Sequence, residues 1–118
     1  MKNNLNTVIE EAKLAYADFD EKSFTEGEGY RIRKLEWKAS LPLSKEDAAK
    51  VMSVACSGGY NEFKPYLLNK LPDDSKVWLA RESSVCVYVK TKQKLNKDKF
   101  NADECDLESP NMWRLWWD

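Results

Sequence analysis

Most residue types that commonly carry chemistry are either missing from this chain or widely spaced along it. The 118 residues include no histidine, so neither a Ser-His nor a Cys-His nucleophile can form, and the usual proton shuttle at neutral pH is missing. Cys56, Cys86 and Cys105 have no CxxC spacing and no neighbouring base. We interpret them as reduced thiols rather than zinc ligands or nucleophiles. The sequence therefore predicts a protein that is not an enzyme and that holds no metal or cofactor.

One short segment keeps a catalytic alternative open. Glu36-Trp37-Lys38 matches the E-x-K half of a metal-dependent nuclease core, in which the acid ligates the metal and the lysine assists a water. The aspartate expected before this strand would have to come from Asp18 or Asp20. The competing interpretation is that Glu36 and Lys38 lie on the solvent face of a half-buried strand.

A run of lysines gives a second hypothesis, nucleic-acid binding. Lysines neutralise backbone phosphates, and the nearby Tyr88 and Phe100 could stack on bases. The competing interpretation is a solvated hairpin edge, where lysines prevent edge-to-edge aggregation. The run consists of Lys90, Lys92, Lys94, Lys97 and Lys99.

Acids and aromatic residues at the C-terminal end form the candidate partner-binding site. Strand alternation predicts that Trp113 and Leu115 pack in the core, which leaves Trp116 or Trp117 for a partner. Exposed tryptophan and arginine dominate the hot spots of protein interfaces, and an acidic patch suits a basic protein surface. The predicted partner-binding residues are Trp113, Arg114, Trp116 and Trp117 together with Asp103, Glu104, Asp106 and Glu108.

The composition indicates a globular chain without a membrane segment. Hydrophobic residues make up 42% and charged residues 33% of the sequence, which is typical of a folded domain. The net charge of −1 provides no overall attraction to nucleic acid. No apolar run is long enough to cross a bilayer, and the N-terminal residues do not resemble a signal peptide. We therefore expect a cytoplasmic protein.

Hydrophobic periodicity predicts the elements that must position these residues. Helical spacing covers residues 4–18, and a second helix begins after Ser44 and stops at Gly58-Gly59. A short helix is expected over residues 65–71 and one helical turn over 95–100. Strands are expected over 30–43, with a bulge near Arg33-Lys34, over 77–81 and 85–90, and over 112–117, while residues 91–110 are expected to form a long polar connection.

These elements predict a single α+β domain over residues 1–118. The sheet would be roughly four-stranded and mainly antiparallel, with two to three helices packed on one face. We expect a small intracellular binding protein that occupies a protein partner sterically. Candidate classes are phage- or plasmid-encoded inhibitors of a host defence system, anti-CRISPR-like or anti-restriction, and toxin-immunity proteins. A homodimer through an edge strand or the tryptophan tail stays open, as do the nucleic-acid and nuclease alternatives.

Overall fold

Five antiparallel strands form one sheet in the computed structural model, which describes residues 4–15, 37–55, 63–82 and 84–117. Along the chain the elements are α1 (Asn4–Ala15), β1 (Trp37–Lys38), α2 (Lys45–Ala55), a 3-10 helix (Pro65–Lys70), β2 (Lys76–Arg81), β3 (Val85–Lys90), a second 3-10 helix (Lys97–Phe100), β4 (Glu104–Ser109) and β5 (Met112–Trp117). The predicted α+β class, with helices beside an antiparallel sheet, is confirmed.

The strands lie in the order β1-β2-β3-β5-β4, which makes β3 the central strand. A central, doubly covered strand was predicted here because both phases of Val85–Val89 are apolar. The structure confirms it, since every residue of this stretch is buried except the half-buried Tyr88. Leu43 extends the β1 side of the sheet through a bridge to Val77.

The sequence predicted about four strands, and the fifth is β4. Its sequence, ECDLES, contains no β-branched or aromatic residue, so it was interpreted as part of a polar connection. β4 pairs with β5 in an antiparallel hairpin. Asn111 in the connecting turn has a φ of 64°, which asparagine tolerates better than most residues. As an edge strand β4 has one neighbour, so polar side chains remain solvated.

The helices pack on one face of the sheet. Leu79, Val87 and Leu115 occupy one row of that face, and they belong to the same core cluster as Val8 of α1 and Met52 of α2. We call this the core face and the other the polar face. None of the helices described is both long and apolar enough to cross a membrane.

Trp117 is a core residue. It is fully buried, and its indole N–H donates to the Phe100 carbonyl at 2.8 Å. Its ring meets Phe63 edge-on, with the centroids 4.7 Å apart. Leu115 is also fully buried, and Trp113 is half-buried against the cluster. The core role predicted for Trp113 and Leu115 is confirmed.

α2 begins where the sequence predicts, directly after Ser44. The Ser44 hydroxyl accepts from the Asp47 N–H at 3.1 Å, which caps α2 as its capping-box sequence predicts. Glu11 of α1 accepts from the Ser40 N–H at 3.1 Å and from the Ser40 hydroxyl. The contact ties α1 to the chain just after β1. The Gly58-Gly59 stop, residues 16–36 and the bulge predicted near Arg33-Lys34 lie outside the described residues.

Replacing Trp117 by alanine should cost about 3–5 kcal/mol of unfolding free energy, the usual loss for a large aromatic side chain removed from a core. Leu107→Ala is the control, because Leu107 is 57% exposed and its truncation should change stability by no more than about 0.5 kcal/mol. Urea unfolding followed by tryptophan fluorescence and circular dichroism measures both. Equal small losses in the two variants would contradict the placement of Trp117.

Candidate functional site

Arg114 is the centre of a charged cluster on the polar face. Its Nε donates to Glu82 Oε1 at 2.8 Å. Its Nη1 donates to Glu104 Oε1 at 2.7 Å and to Asp106 Oδ2 at 3.3 Å. The Arg114 side chain is only 14% exposed, whereas those of Glu104 and Asp106 are about half exposed at 49% and 56%. One guanidinium thus joins the turn after β2 to the edge strand β4.

Two aromatic residues complete this cluster. The Tyr88 hydroxyl donates to the second carboxylate oxygen of Glu82, and the Trp116 indole N–H donates to the Glu82 backbone carbonyl at 2.7 Å. The Lys38 ammonium lies 4.0 Å from the centre of the Tyr88 ring, which is cation–π distance. We call Arg114 with its partners Glu82, Tyr88, Glu104 and Asp106 the Arg114 network.

The strand register explains why these side chains meet. Tyr88, Arg114 and Asp106 are directly opposite one another on β3, β5 and β4. Glu104 lies two residues before Asp106, and residues two apart on a strand share a face. Glu82 follows β2 at the hairpin turn. The cluster therefore depends on pairings between strands that are distant in the sequence.

The pKa shifts indicate that the network is ionic at neutral pH. Burial raises the pKa of Glu82, but hydrogen bonds from Tyr88 and Arg114 outweigh it and leave this pKa below its ordinary value of 4.5. Burial lowers the pKa of Arg114, but the hydrogen bonds that its guanidinium donates to Glu104 and Glu82 outweigh burial and raise this pKa above its ordinary value. Both side chains keep their charges, so the network is a set of charge-assisted hydrogen bonds.

The network lies over two small buried residues. Ala80 and Cys86 are buried on the polar face and are not members of the core cluster. Burial, followed by the charge of Glu82, raises the pKa of the Cys86 thiol. Burial and the hydrogen bond to Glu82 also raise the pKa of the Tyr88 hydroxyl. Both groups stay protonated at neutral pH, so the arrangement shapes a surface and activates no nucleophile.

The predicted tail residues divide between core and surface. Trp117 is fully buried, which leaves it no surface to offer a partner in the folded chain, and Trp113 is half-buried against the core. Arg114 and Trp116 lie on the polar face within hydrogen-bonding reach of Glu82. The partner-binding prediction for the tail therefore loses Trp117 and stays a prediction for the half-buried Trp113, Arg114 and Trp116.

The predicted acids lie together along one edge of the sheet. Five of the six β4 residues are exposed, and so is the residue that precedes the strand. Between Leu107 and Ser109 the register shifts, so that Glu108 is the extra residue of a bulge. We call Asp103, Glu104, Asp106 and Glu108 the acidic edge. The chain also carries acids on α1, where Glu10 is exposed and Glu11 is half-buried against Ser40.

The lysine run does not form one strip. Lys90 lies opposite Met112 at one end of β5. The Lys97 carbonyl accepts from the Ala102 N–H at 3.0 Å, just before β4 begins opposite Trp116. Met112 and Trp116 are four residues apart, roughly 13 Å along a strand. All five lysines of the run are exposed, but they are divided between the two ends of the sheet.

The nuclease alternative gains no support from the described residues. Glu36 lies outside them, as do Asp18 and Asp20, and the Lys38 ammonium lies over the Tyr88 ring. Within residues 4–15, 37–55, 63–82 and 84–117, no group of three or more Cys, Asp or Glu side chains is placed to hold a metal ion.

Comparison with protein-family models, with curated proteins and with solved structures finds no significant match to this chain.

Two charged residues, Glu82 and Lys76, were not identified from the sequence as candidate site residues. Glu82 was interpreted only as part of the hairpin turn, and Lys76 was not included with the basic residues. Lys76 lies directly opposite Lys90, a relation that an in-register hairpin alignment of β2 and β3 would have revealed. Glu82 gives no such local signal, because its partner Arg114 is 32 residues away in the sequence.

Replacing Glu82 by glutamine should destabilise the protein at neutral pH and progressively less in acid. The native pKa of Glu82 lies below its ordinary value of 4.5, so its ionised form contributes stability above about pH 4.5. This contribution is lost as the pH falls through the native pKa. The difference in unfolding free energy between wild type and Glu82→Gln should therefore shrink below pH 4.5, as measured by urea unfolding across a pH series.

Glu108→Gln provides the matched control, because Glu108 lies outside the Arg114 network on the same sheet. Its difference from wild type at neutral pH should be small. A Glu82→Gln difference that does not shrink in acid would show that the Glu82 carboxylate contributes nothing as an ion.

Proposed function

We propose that this chain is a protein-binding domain that acts sterically, by placing its acidic edge on a basic surface of a protein partner. The observation that carries the proposal is the character of β4. This strand is a sheet edge with five exposed residues of six, and it combines three acids with a large exposed apolar side chain, Leu107.

Among the described residues, the charge of Glu104, Asp106 and Glu108 is only partly compensated. Glu104 and Asp106 share the single guanidinium of Arg114. Among the described residues, Glu108 forms no ion pair. Arg114 thus fixes the position of two acids without neutralising the edge. A surface with residual negative charge attracts a basic partner and speeds its association.

Leu107 supplies an apolar contact beside these charges. It is 57% exposed and is paired across the hairpin with the half-buried Trp113. Apolar and aromatic residues bordered by polar ones are the usual composition of an interface. The outer side of an edge strand also offers backbone groups with which an added strand could pair.

The acidic edge also disfavours pairing of two copies through β4. Edge-to-edge association would bring the same acids opposite one another, and like charges directly opposite are destabilising. Charged edge residues are a common protection against such association. A homodimer through this edge is therefore less favourable than a complex with a basic partner.

Steric occupation requires no catalytic group. Inhibitors of host defence systems and toxin-immunity proteins act in this way, by covering a functional surface of their target. They remain the classes of protein that we propose. Nucleic-acid binding is the alternative function, and it would use Lys90, Lys92, Lys94, Lys97 and Lys99.

The double variant Leu107→Ala/Glu108→Lys should lose a partner that wild type captures from a lysate of its native host. The change removes the exposed apolar contact and reverses one charge of the acidic edge. Capture on immobilised protein, followed by mass spectrometry and titration of the purified partner, measures the effect. We expect a loss in affinity of about tenfold or more, which corresponds to about 1.4 kcal/mol.

Tyr66→Ala/Glu46→Lys is the matched control. Tyr66 is 61% exposed and the Glu46 side chain 60% exposed, and the pair produces the same change of charge on α2 and the first 3-10 helix. The control should retain the partner, and raised salt should weaken the wild-type complex. Equal capture by both double variants, each shown to be folded, would contradict the proposal.

A further inference from the structure

A basic depression lies on the sheet at the end opposite Glu82. It has a volume of about 220 Å³ and is lined by Asp74, Lys76, Lys90, Thr91, Lys92 and Asn111. We call it the lysine pocket. Three of its six residues are lysines, and two of these come from the strand pair at the centre of the sheet. The pocket includes only the first part of the lysine run, together with Lys76.

The sheet register forces two of these lysines together. Lys76 and Lys90 are directly opposite one another on β2 and β3, where side chains begin about 5 Å apart and like charges repel. Both are exposed. Within the described part of the chain, neither ammonium has a carboxylate at ion-pair distance. An anion between them would relieve this repulsion.

Asp74 lines the pocket next to the loop that follows β3. One oxygen of its carboxylate accepts from the Thr91 hydroxyl at 2.5 Å and the other from the Lys92 N–H at 3.0 Å. These bonds, led by the one from Lys92, keep the pKa of Asp74 below its ordinary value. The Thr91 N–H donates to the Asn111 carbonyl at 2.9 Å. The loop that carries Lys92 is thereby fixed beside the two strand lysines.

The charge balance of the pocket favours an anion. Asp74 is the one carboxylate among the described residues that line it, and both oxygens of that carboxylate already accept hydrogen bonds from the loop. The same lining contains three ammonium groups, so positive charge is in excess. Ammonium groups are strong point-charge donors to phosphate oxygens, and the side-chain amide of Asn111 offers a further donor.

We propose that the lysine pocket binds a phosphate group. The neighbouring row of the polar face fits a phosphate carried by a nucleic-acid strand, because it holds the half-buried Trp78 opposite Tyr88, and the Lys38 ammonium over the Tyr88 ring adds a further cation. Aromatic rings beside a basic groove are the common means of binding single strands. Most of the pocket is formed by β2, β3 and the loop after β3, which β5 separates from β4. The phosphate site does not depend on the protein partner proposed above.

The test compares two variants with the same loss of charge. Lys76→Gln/Lys90→Gln removes the strand lysines of the pocket, and Lys94→Gln/Lys99→Gln removes two exposed lysines of the run outside it. The probes are inorganic phosphate, thymidine monophosphate and a short fluorescent oligothymidylate. Binding is followed by fluorescence anisotropy and by the shifts of backbone amides in NMR spectra.

The pocket variant should bind the oligothymidylate at least about tenfold more weakly than wild type at low salt. The slope of log affinity against log salt should fall by about one to two, because phosphate contacts are lost. The control should change by less than about threefold. The melting temperature of the pocket variant should equal or exceed that of wild type without phosphate, and added phosphate should raise it less than it raises wild type.

The three probes distinguish the source of the phosphate. Tighter binding of oligothymidylate than of the monophosphate supports a nucleic-acid strand as ligand. Binding of inorganic phosphate and the monophosphate with no gain for the oligonucleotide supports the phosphate site with a small ligand. Equal losses in the two variants, or no amide shifts at Thr91, Lys92 and Asn111 with any probe, would overturn the proposal.

Discussion

The polar face depends on one guanidinium that three carboxylates share. Arg114 of β5 binds Glu82 from the β2–β3 turn and Glu104 and Asp106 from β4. Without this cation, three acids would face one another over the buried Ala80 and Cys86. The planar fork of arginine donates in several directions at once, which the single ammonium of a lysine does not reproduce. Arg114 thus adds to the pairing of β4 with β5 in fixing the surface proposed for binding.

The same interaction explains how an acidic, non-β-branched segment forms a strand. ECDLES has little intrinsic preference for a sheet. Pairing with β5 satisfies one side of its backbone, Cys105 packs against the core cluster, and Arg114 compensates part of the charge of Glu104 and Asp106. The outer side keeps its acids in solvent. The lysine pocket lies at the Lys90–Met112 end of the sheet, so a chain of nearly zero net charge presents separate negative and positive surfaces.

Local patterns in the sequence were sufficient for the β2–β3 hairpin, the central position of β3, the cap at Ser44 and the terminal strand. They were not sufficient to predict β4, which forms a strand because it pairs with β5. For the tail, alternation defined two sets of residues, and whether Trp117 is core or surface depended on Phe63 and Phe100, which come from distant segments. The candidate site was predicted as a set of acids and tryptophans together with Arg114. The contact of Arg114 with Glu82 could not be predicted, because it requires the pairing of β3 with β5.

The most direct test of this account is amide hydrogen exchange in wild type and in Arg114→Leu at neutral pH. If Arg114 fastens the acidic edge to the sheet, the β4 amides that bond to β5 should lose protection in the variant. The amides shared by β2 and β3 should keep most of theirs. Protection of β4 that is unchanged, or that falls only in step with the whole sheet, would contradict the central role assigned to this guanidinium.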